Sequence, residues 1–279
     1  MSFIDSHNHI QDDRFGDSRE EILAICVSSG VTFSAVNGTH PDDWPHVASL
    51  AKRHSFLVPS FGVHPWFINN LPTNWEETLR SYINETASGI GEIGIDGWRK
   101  DFDPVEQERI FLSQLAIAAE KNLPVSIHGL RRWGRLLELL RNNPLPGCGF
   151  LLHSYGGPEE MIPSFAKLGG YFSCPGFFLS PGREMKLRVF KEVPEERLLL
   201  ETDAPDQNLP ENLDRYRLLT SNDTKRVNHP ANIIAVYEGV AQLRGISIES
   251  LSNLAEANFR RLFAPVLNER AKTSPTDAP

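Results

Sequence analysis

The chain has 279 residues, 40% hydrophobic and 23% charged, with 28 Lys and Arg against 36 Asp and Glu for a net charge of −8. That composition is ordinary for a soluble globular protein and excludes collagen-like, low-complexity and disordered classes. The acidic balance argues against a broad basic surface for nonspecific duplex binding, yet leaves room for a nucleic-acid substrate gripped locally.

The N-terminus, MSFIDSHNHI, has no basic region and no long apolar stretch, which argues against a secretory signal. No apolar run approaches the ~18 residues of a membrane span, so no membrane partner is expected. Strand-like runs follow at 3–7 (FIDSH), 31–37 (VTFSAVN), 56–63 (FLVPSFGV), 89–95 (GIGEIGI), 123–128 (LPVSIH), 149–153 (GFLLH), 170–174 (GYFSC) and 197–203 (RLLLETD). Helical stripes lie between and after them. Over 17–29, Ile22, Ile25, Cys26 and Ser29 share a face; over 105–120, Phe111, Leu115 and Ala118 do; after the eighth strand, Ile233, Tyr237, Val240 and Ala241 do. A last helix opens at Ser247, a good N-cap, and carries Leu251, Leu254, Ala255, Phe259 and Leu262 on one wide face.

Eight strands alternating with helices predict an α/β fold, a TIM (β/α)8 barrel forming a single domain over 1–265, with a polar tail over 266–279. The competing open doubly wound sheet usually shows a glycine-rich turn after its first strand, and here that position reads SHNHIQDD. Cys26, Cys148 and Cys174 are odd in number and far apart, forming neither a CxxC site nor a disulfide framework; they fit core thiols in a reducing cytoplasm.

The ionisable residues gather at strand ends. His7 and His9 end the first strand, His64 the third, His128 the fifth, His153 the sixth and Asp203 the eighth, while Glu92 lies within the fourth. In a barrel these ends meet at one mouth, where active sites of this fold lie. Any one alone reads more simply as a hydrogen-bonded or capping residue. Together, several imidazoles and two carboxylates in one pocket need compensation, which a divalent metal supplies. His7 and His9, two apart on an extended segment, point to one face and can chelate one ion. The two oxygens of Glu92 can bridge two ions, and such a pair would activate a water and clamp both oxygens of a displacement. No GxSxG elbow or P-loop offers another nucleophile.

The set FIDSHNH, GVHP, GEIGID, LPVSIH, LLHS and RLLLETDAP, with EANFRRLF in the last helix, resembles the TatD family of metal-dependent hydrolases, TIM barrels of the amidohydrolase superfamily. The match runs colinearly from about residue 1 to 265. It implies two divalent ions (Mg, Mn or Zn): one held by His7, His9, Glu92 and Asp203, the second bridged by Glu92 and completed by His128 and His153. It further implies catalytic roles for Asp203, Glu92 and His64, with Asp203 orienting or deprotonating the water and His64 touching substrate. The implied activity is a deoxyribonuclease, commonly a 3′–5′ exonuclease on single-stranded DNA, acting in the cytoplasm; we take the chain to act as a monomer. The alternative is a superfamily hydrolase of an ester, amide or non-nucleic phosphoester.

The chain departs from the family around the mouth. HPH becomes His64-Pro65-Trp66, H-x-R becomes His128-Gly129-Leu130 before Arg131 and Arg132, an aromatic-Ser-Gly becomes Tyr155-Gly156-Gly157, and N-E-P becomes Asn228-His229-Pro230. Arg131, Arg132, Trp66 and Tyr155 are the substrate-contact candidates, with Arg135, Lys225, Arg226, Trp98, Phe177 and Phe178 as further rim residues. His40 is read as a loop residue, His46, His54 and His229 as surface or helix histidines, and Asn258 as a buried structural amide.

Overall fold

The computed structural model describes residues 1–220 and 225–273. Eight parallel strands form one sheet in sequential order: β1 (Phe3–Asn8), β2 (Val31–Asn37), β3 (Leu57–Phe61), β4 (Gly89–Asp96), β5 (Val125–Leu130), β6 (Phe150–Leu152), β7 (Gly170–Pro175) and β8 (Leu198–Glu201). Around them lie α1 (Arg19–Ser28), α2 (Trp44–Arg53), α3 (Trp75–Glu85), α4 (Pro104–Lys121), α5 (Trp133–Asn142), α6 (Ile162–Lys167), α7 (Glu184–Arg188), α8 (Ile233–Arg244), α9 (Ile248–Leu262) and α10 (Ala264–Thr273). This is a TIM barrel, and the expected strands fall within a few residues of the observed ones.

The chemistry of the boundaries is local. Pro104 occupies the first turn of α4, and the Asp103 carboxylate accepts the Val105 N–H. Ser247 caps α9 by accepting the Ser250 N–H at 3.0 Å. The expected helix at 17–29 starts later, at Arg19, because Gly16 takes a left-handed φ of 49° and breaks the preceding 3-10 turns.

The barrel closes between β8 and β1 through a few specific bonds. The Asp203 N–H donates to the His7 carbonyl at 3.0 Å and the His9 N–H to the Ala204 carbonyl at 2.7 Å. Below them the buried Asp5 carboxylate accepts the Thr202 N–H at 2.9 Å and its hydroxyl at 2.6 Å.

Apolar burial divides in two. One large cluster lies between strands and surrounding helices, with Trp44, Phe61, Phe111 and Phe172 among its members. A smaller one plugs the barrel floor, where Ile4, Val58, Leu151 and Leu199 meet Phe259, Leu262, Phe263 and Val266. The polar tail expected from residue 266 is therefore displaced: 264–273 form α10, whose Val266 is buried and whose Arg270 donates to the Leu57 carbonyl at 2.7 Å. Residues 274–279 of that tail lie outside the described residues. No helix among the described residues is long and apolar enough to cross a membrane.

Candidate metal centre

The strand ends open into a cleft of about 1380 Å³, lined among others by His9, His64, Glu92, His128, His153 and Asp203. His7 lies beneath them, fully buried, its ring stacked on His153 at 4.0 Å. All seven sequence candidates for the centre thus come together.

Glu92, 2% exposed, is the hub. Its Oε2 lies 3.3 Å from His7 Nε2 and 3.2 Å from His9 Nε2. Its Oε1 lies 3.0 Å from His128 Nδ1 and 2.8 Å from His153 Nε2. Oε2 therefore serves His7 and His9, and Oε1 serves His128 and His153, with His64 also beside it at 3.3 Å. Within the pairs, His7 Nε2 and His9 Nε2 are 3.2 Å apart, and His153 Nε2 and His128 Nδ1 are 3.4 Å apart. Asp203 Oδ1 joins the first pair, 3.6 Å from His7 and 3.5 Å from His9. Asp203 reaches in from a left-handed backbone, φ 53°, a conformation Asp tolerates better than most residues.

The outer nitrogens show which lone pairs are free. His9 Nδ1 donates to the Asn37 carbonyl at 2.8 Å, so in the neutral ring Nε2 is a lone pair aimed inward. His128 Nε2 faces Asp96 Oδ2 at 3.0 Å, which places the proton there and leaves Nδ1 toward Glu92. His7 Nδ1 pairs with the Ser126 hydroxyl at 2.7 Å. His64 is different. Its Nδ1 accepts the Trp66 N–H at 3.1 Å, so the neutral ring carries its proton on Nε2, 3.3 Å from Glu92 Oε1, and presents a donor to the cleft.

The electrostatics follow from burial and crowding. Burial alone would raise the Glu92 carboxyl, but the His153 and His64 imidazoles and the hydrogen bonds from His128 and His153 outweigh it and hold it well below the usual range. Burial is likewise outweighed at Asp203, where the His9 hydrogen bond and the charges of His153 and His7 leave the carboxyl at about 2. Burial pushes His64 down to about 4, so it stays neutral. Imidazole lone pairs facing one another around ionised carboxylates are the donor chemistry that Zn or Mn accepts, and the residues fit such a group. His7, His9 and Glu92, and His7, His153 and Asp203, each bring three ligand atoms within 4.8 Å of one another.

Two carboxylates escaped the sequence reading. Asp96 ends β4, four residues beyond Glu92; its Oδ2 also accepts the Trp66 indole N–H at 2.8 Å, and its Oδ1 accepts the Trp98 and Arg99 N–H groups. Glu201 ends β8, fully buried; it accepts from the Ser154 and Ser173 hydroxyls and lies 3.5 Å from His153 Nδ1. The available signal was strand spacing, since Asp96 follows Glu92, and Glu201 precedes Asp203, by an even number of residues.

The rim differs more. Trp66, Trp98, Phe177 and Phe178 line the cleft as expected; His40, read as a loop residue, and His46, read as a surface or helix histidine, line it too. Arg131 and Arg132 do not line it: Arg131 is exposed, and the Arg132 side chain packs on Gly97, its guanidinium 3.8 Å from Glu108. Arg135 is likewise paired with Glu108 and Glu138. Tyr155 is not a substrate contact either. It is wholly buried against Trp133 and Phe172 and donates its hydroxyl to the Pro158 carbonyl at 2.7 Å. Lys225 and Arg226 lie outside the lining, Arg226 donating to the Leu209 carbonyl. The cations that do line the cleft are Arg14, Arg99 and Arg183, the last two on the loops after β4 and β7, and Lys186 in α7. His229, read as a surface or helix residue, is buried: its ring stacks on Tyr216 at 5.2 Å and its Nδ1 accepts the Ala231 N–H at 3.0 Å. Asn258 is the structural amide expected, donating to the Glu195 and Leu198 carbonyls.

Comparison with known proteins agrees with this geometry. The family model described as TatD related DNase matches residues 4–264. A protein of Shigella flexneri named 3′-5′ ssDNA/RNA exonuclease TatD is 32% identical over 258 residues, covering 90% of this chain and 94% of its own length. An uncharacterized metal-dependent hydrolase of Escherichia coli, YcfH, is 29% identical over 94% of this chain and 96% of its own. Among solved structures, the TatD homolog YjjV of Escherichia coli superposes with a TM-score of 0.85 at 25% identity, covering 94% of this chain and 98% of that one. With its barrel, its hub carboxylate and these likenesses, the chain belongs to the TatD family of metal-dependent hydrolases.

Proposed function

We propose that the chain is a nuclease of the TatD type, hydrolysing phosphodiester bonds of single-stranded DNA, possessing two divalent ions and acting as a cytoplasmic monomer. The observation that carries the two-ion reading is the division of labour at Glu92, one oxygen to His7 and His9 and the other to His128 and His153. Asp203 would complete the first group. When bound, the ions supply charge to the phosphate oxygens and acidify the attacking water.

The chain's own groups do the rest. Asp203, ionised at neutral pH, takes the water's proton at Oδ1, while the Gln207 amide donates to its Oδ2 at 2.6 Å and fixes the carboxylate's orientation. His64 donates from Nε2 to a nonbridging phosphate oxygen. Nucleic acid is favoured as substrate by the names of the relatives and by cations and aromatic rings standing together at the mouth. A second reading, an ester, amide or non-nucleic phosphoester, draws support from Asp12, Asp42 and Asp206, which give the same mouth negative charge.

The deciding experiment offers single-stranded oligonucleotides beside aryl phosphodiesters, lactones and aminoacyl esters, with Mg, Mn and Zn in turn. Preference for oligonucleotides is expected, and preference for a carbonyl substrate sinks the nuclease reading. Glu92→Ala is expected to lower kcat/KM by at least about a thousandfold; turnover near the unmutated level in a folded variant removes the hub role.

A further inference from the structure

Trp98 stands at the cleft mouth with 51% of its surface exposed, although it is large and apolar. Its backbone N–H donates to Asp96 Oδ1 at 2.5 Å. Beside it the half-buried Trp66 lies at 6.1 Å between ring centroids, inclined by 49°, so the two indoles form an open notch. The Arg99 guanidinium stacks 5.5 Å over Trp66 and 4.7 Å over Phe102, closing the notch on its outer side. An uncovered indole loses the free energy that covering it would contribute.

The anchor of this wall is also an anchor of the metal cluster. Asp96 Oδ2 accepts both the Trp66 indole N–H, at 2.8 Å, and the proton of His128 Nε2, at 3.0 Å. The Trp66 ring is 6.1 Å from His128 and 5.2 Å from His64. A flat group lying in the notch against Trp66 is thereby set, through Asp96, at a constant displacement from the place where the scissile group must sit.

We infer that Trp98 and Trp66 form a stacking subsite for one nucleobase, that of the nucleotide next to the scissile phosphate, registered to the metal cluster through Asp96. This inference rests on the nuclease reading above. A base supplies the flat π-face the notch lacks, and stacking tolerates every base, as sequence-independent trimming requires. Asp96 is a positioning residue here: it touches no substrate and acts through Trp66, Trp98 and His128.

The test has two arms. In the first, metal-free protein in EDTA is titrated into a short single-stranded oligonucleotide carrying 2-aminopurine beside the terminal phosphodiester, and its fluorescence is followed. Trp98→Ala is expected to weaken the response about tenfold and Trp98→Phe to recover most of it. In the second, the protein loaded with Mn hydrolyses the same oligonucleotide with a normal or an abasic residue at that position. The unmutated protein is expected to prefer the base-bearing substrate about tenfold, and Trp98→Ala to bring the ratio toward one. No response from the unmutated protein in EDTA, or Trp98→Ala matching it in both arms, overturns the subsite. Failure of the unmutated protein to hydrolyse any oligonucleotide overturns the nuclease reading instead, and the metal-free arm still decides the stacking.

Discussion

At Asp96 one carboxylate receives a metal-cluster imidazole, an indole and two backbone N–H groups. An amide in its place accepts at one oxygen only and turns an NH2 toward other donors. Asp96→Asn is therefore expected to weaken binding of one of the two proposed ions by about ten- to a hundredfold, read by calorimetric metal titration, while Glu92→Ala is expected to disturb both; unchanged affinities in a folded Asp96→Asn protein defeat the positioning role. His229 gives a prediction of a different kind. Burial pushes its imidazole down to about 4, and its Nδ1 is already occupied by the Ala231 N–H. The folded protein thus refuses a proton that the unfolded chain takes below about 6.5. Its contribution to stability is intact above that pH and falls as pH drops toward 4, by up to about 3 kcal/mol. His229→Asn keeps a capping acceptor and removes the titration. Denaturant melts of both proteins between pH 4 and 8 should show the unmutated protein losing ground to the variant only below about 6.5. Parallel curves refute it.

At the scale of elements, the legible parts were those with local signals and the missed ones depended on distant partners. The apolar runs marked all eight strands, and Ser247 marked the start of α9. The segment from 266 read as tail because its composition is polar. It is a helix because Val266 reaches the barrel floor and Arg270 bonds carbonyls of Leu57, Ala51 and Ser55, contacts made 200 residues away in sequence. A chain ending at residue 265 removes both. It is expected to unfold several degrees lower in a thermal melt, as the loss of one buried valine and three hydrogen bonds implies. An unchanged midpoint would mean that α10 is dispensable. The rim was misjudged in the same way. Arg131 and Arg132 follow His128 after only Gly129 and Leu130, yet Arg131 takes a left-handed φ of 58° and neither lines the cleft, while Arg183 reaches the mouth from the loop after β7, its guanidinium 3.7 Å over Phe177.

For the whole molecule, the barrel was readable because its alternation of strand and helix repeats along the chain, and the cluster was readable because the fold sends strand ends to one place. Glu201 and Asp96 were not, since a buried acid and a capping acid look alike until the imidazole each one faces is known. The same topology puts His7 on the first strand, His9 just past its end and Asp203 just past the last, across the seam where Asp203 N–H meets the His7 carbonyl. Order of synthesis then acquires meaning. A polypeptide emerging from the ribosome possesses every imidazole of the centre long before residue 203 appears, but lacks the edge that locks the first two of them. Asp203, the last of the seven residues of the centre, is added only when nearly three-quarters of the chain has been translated, so a shorter nascent chain lacks the complete ligand set.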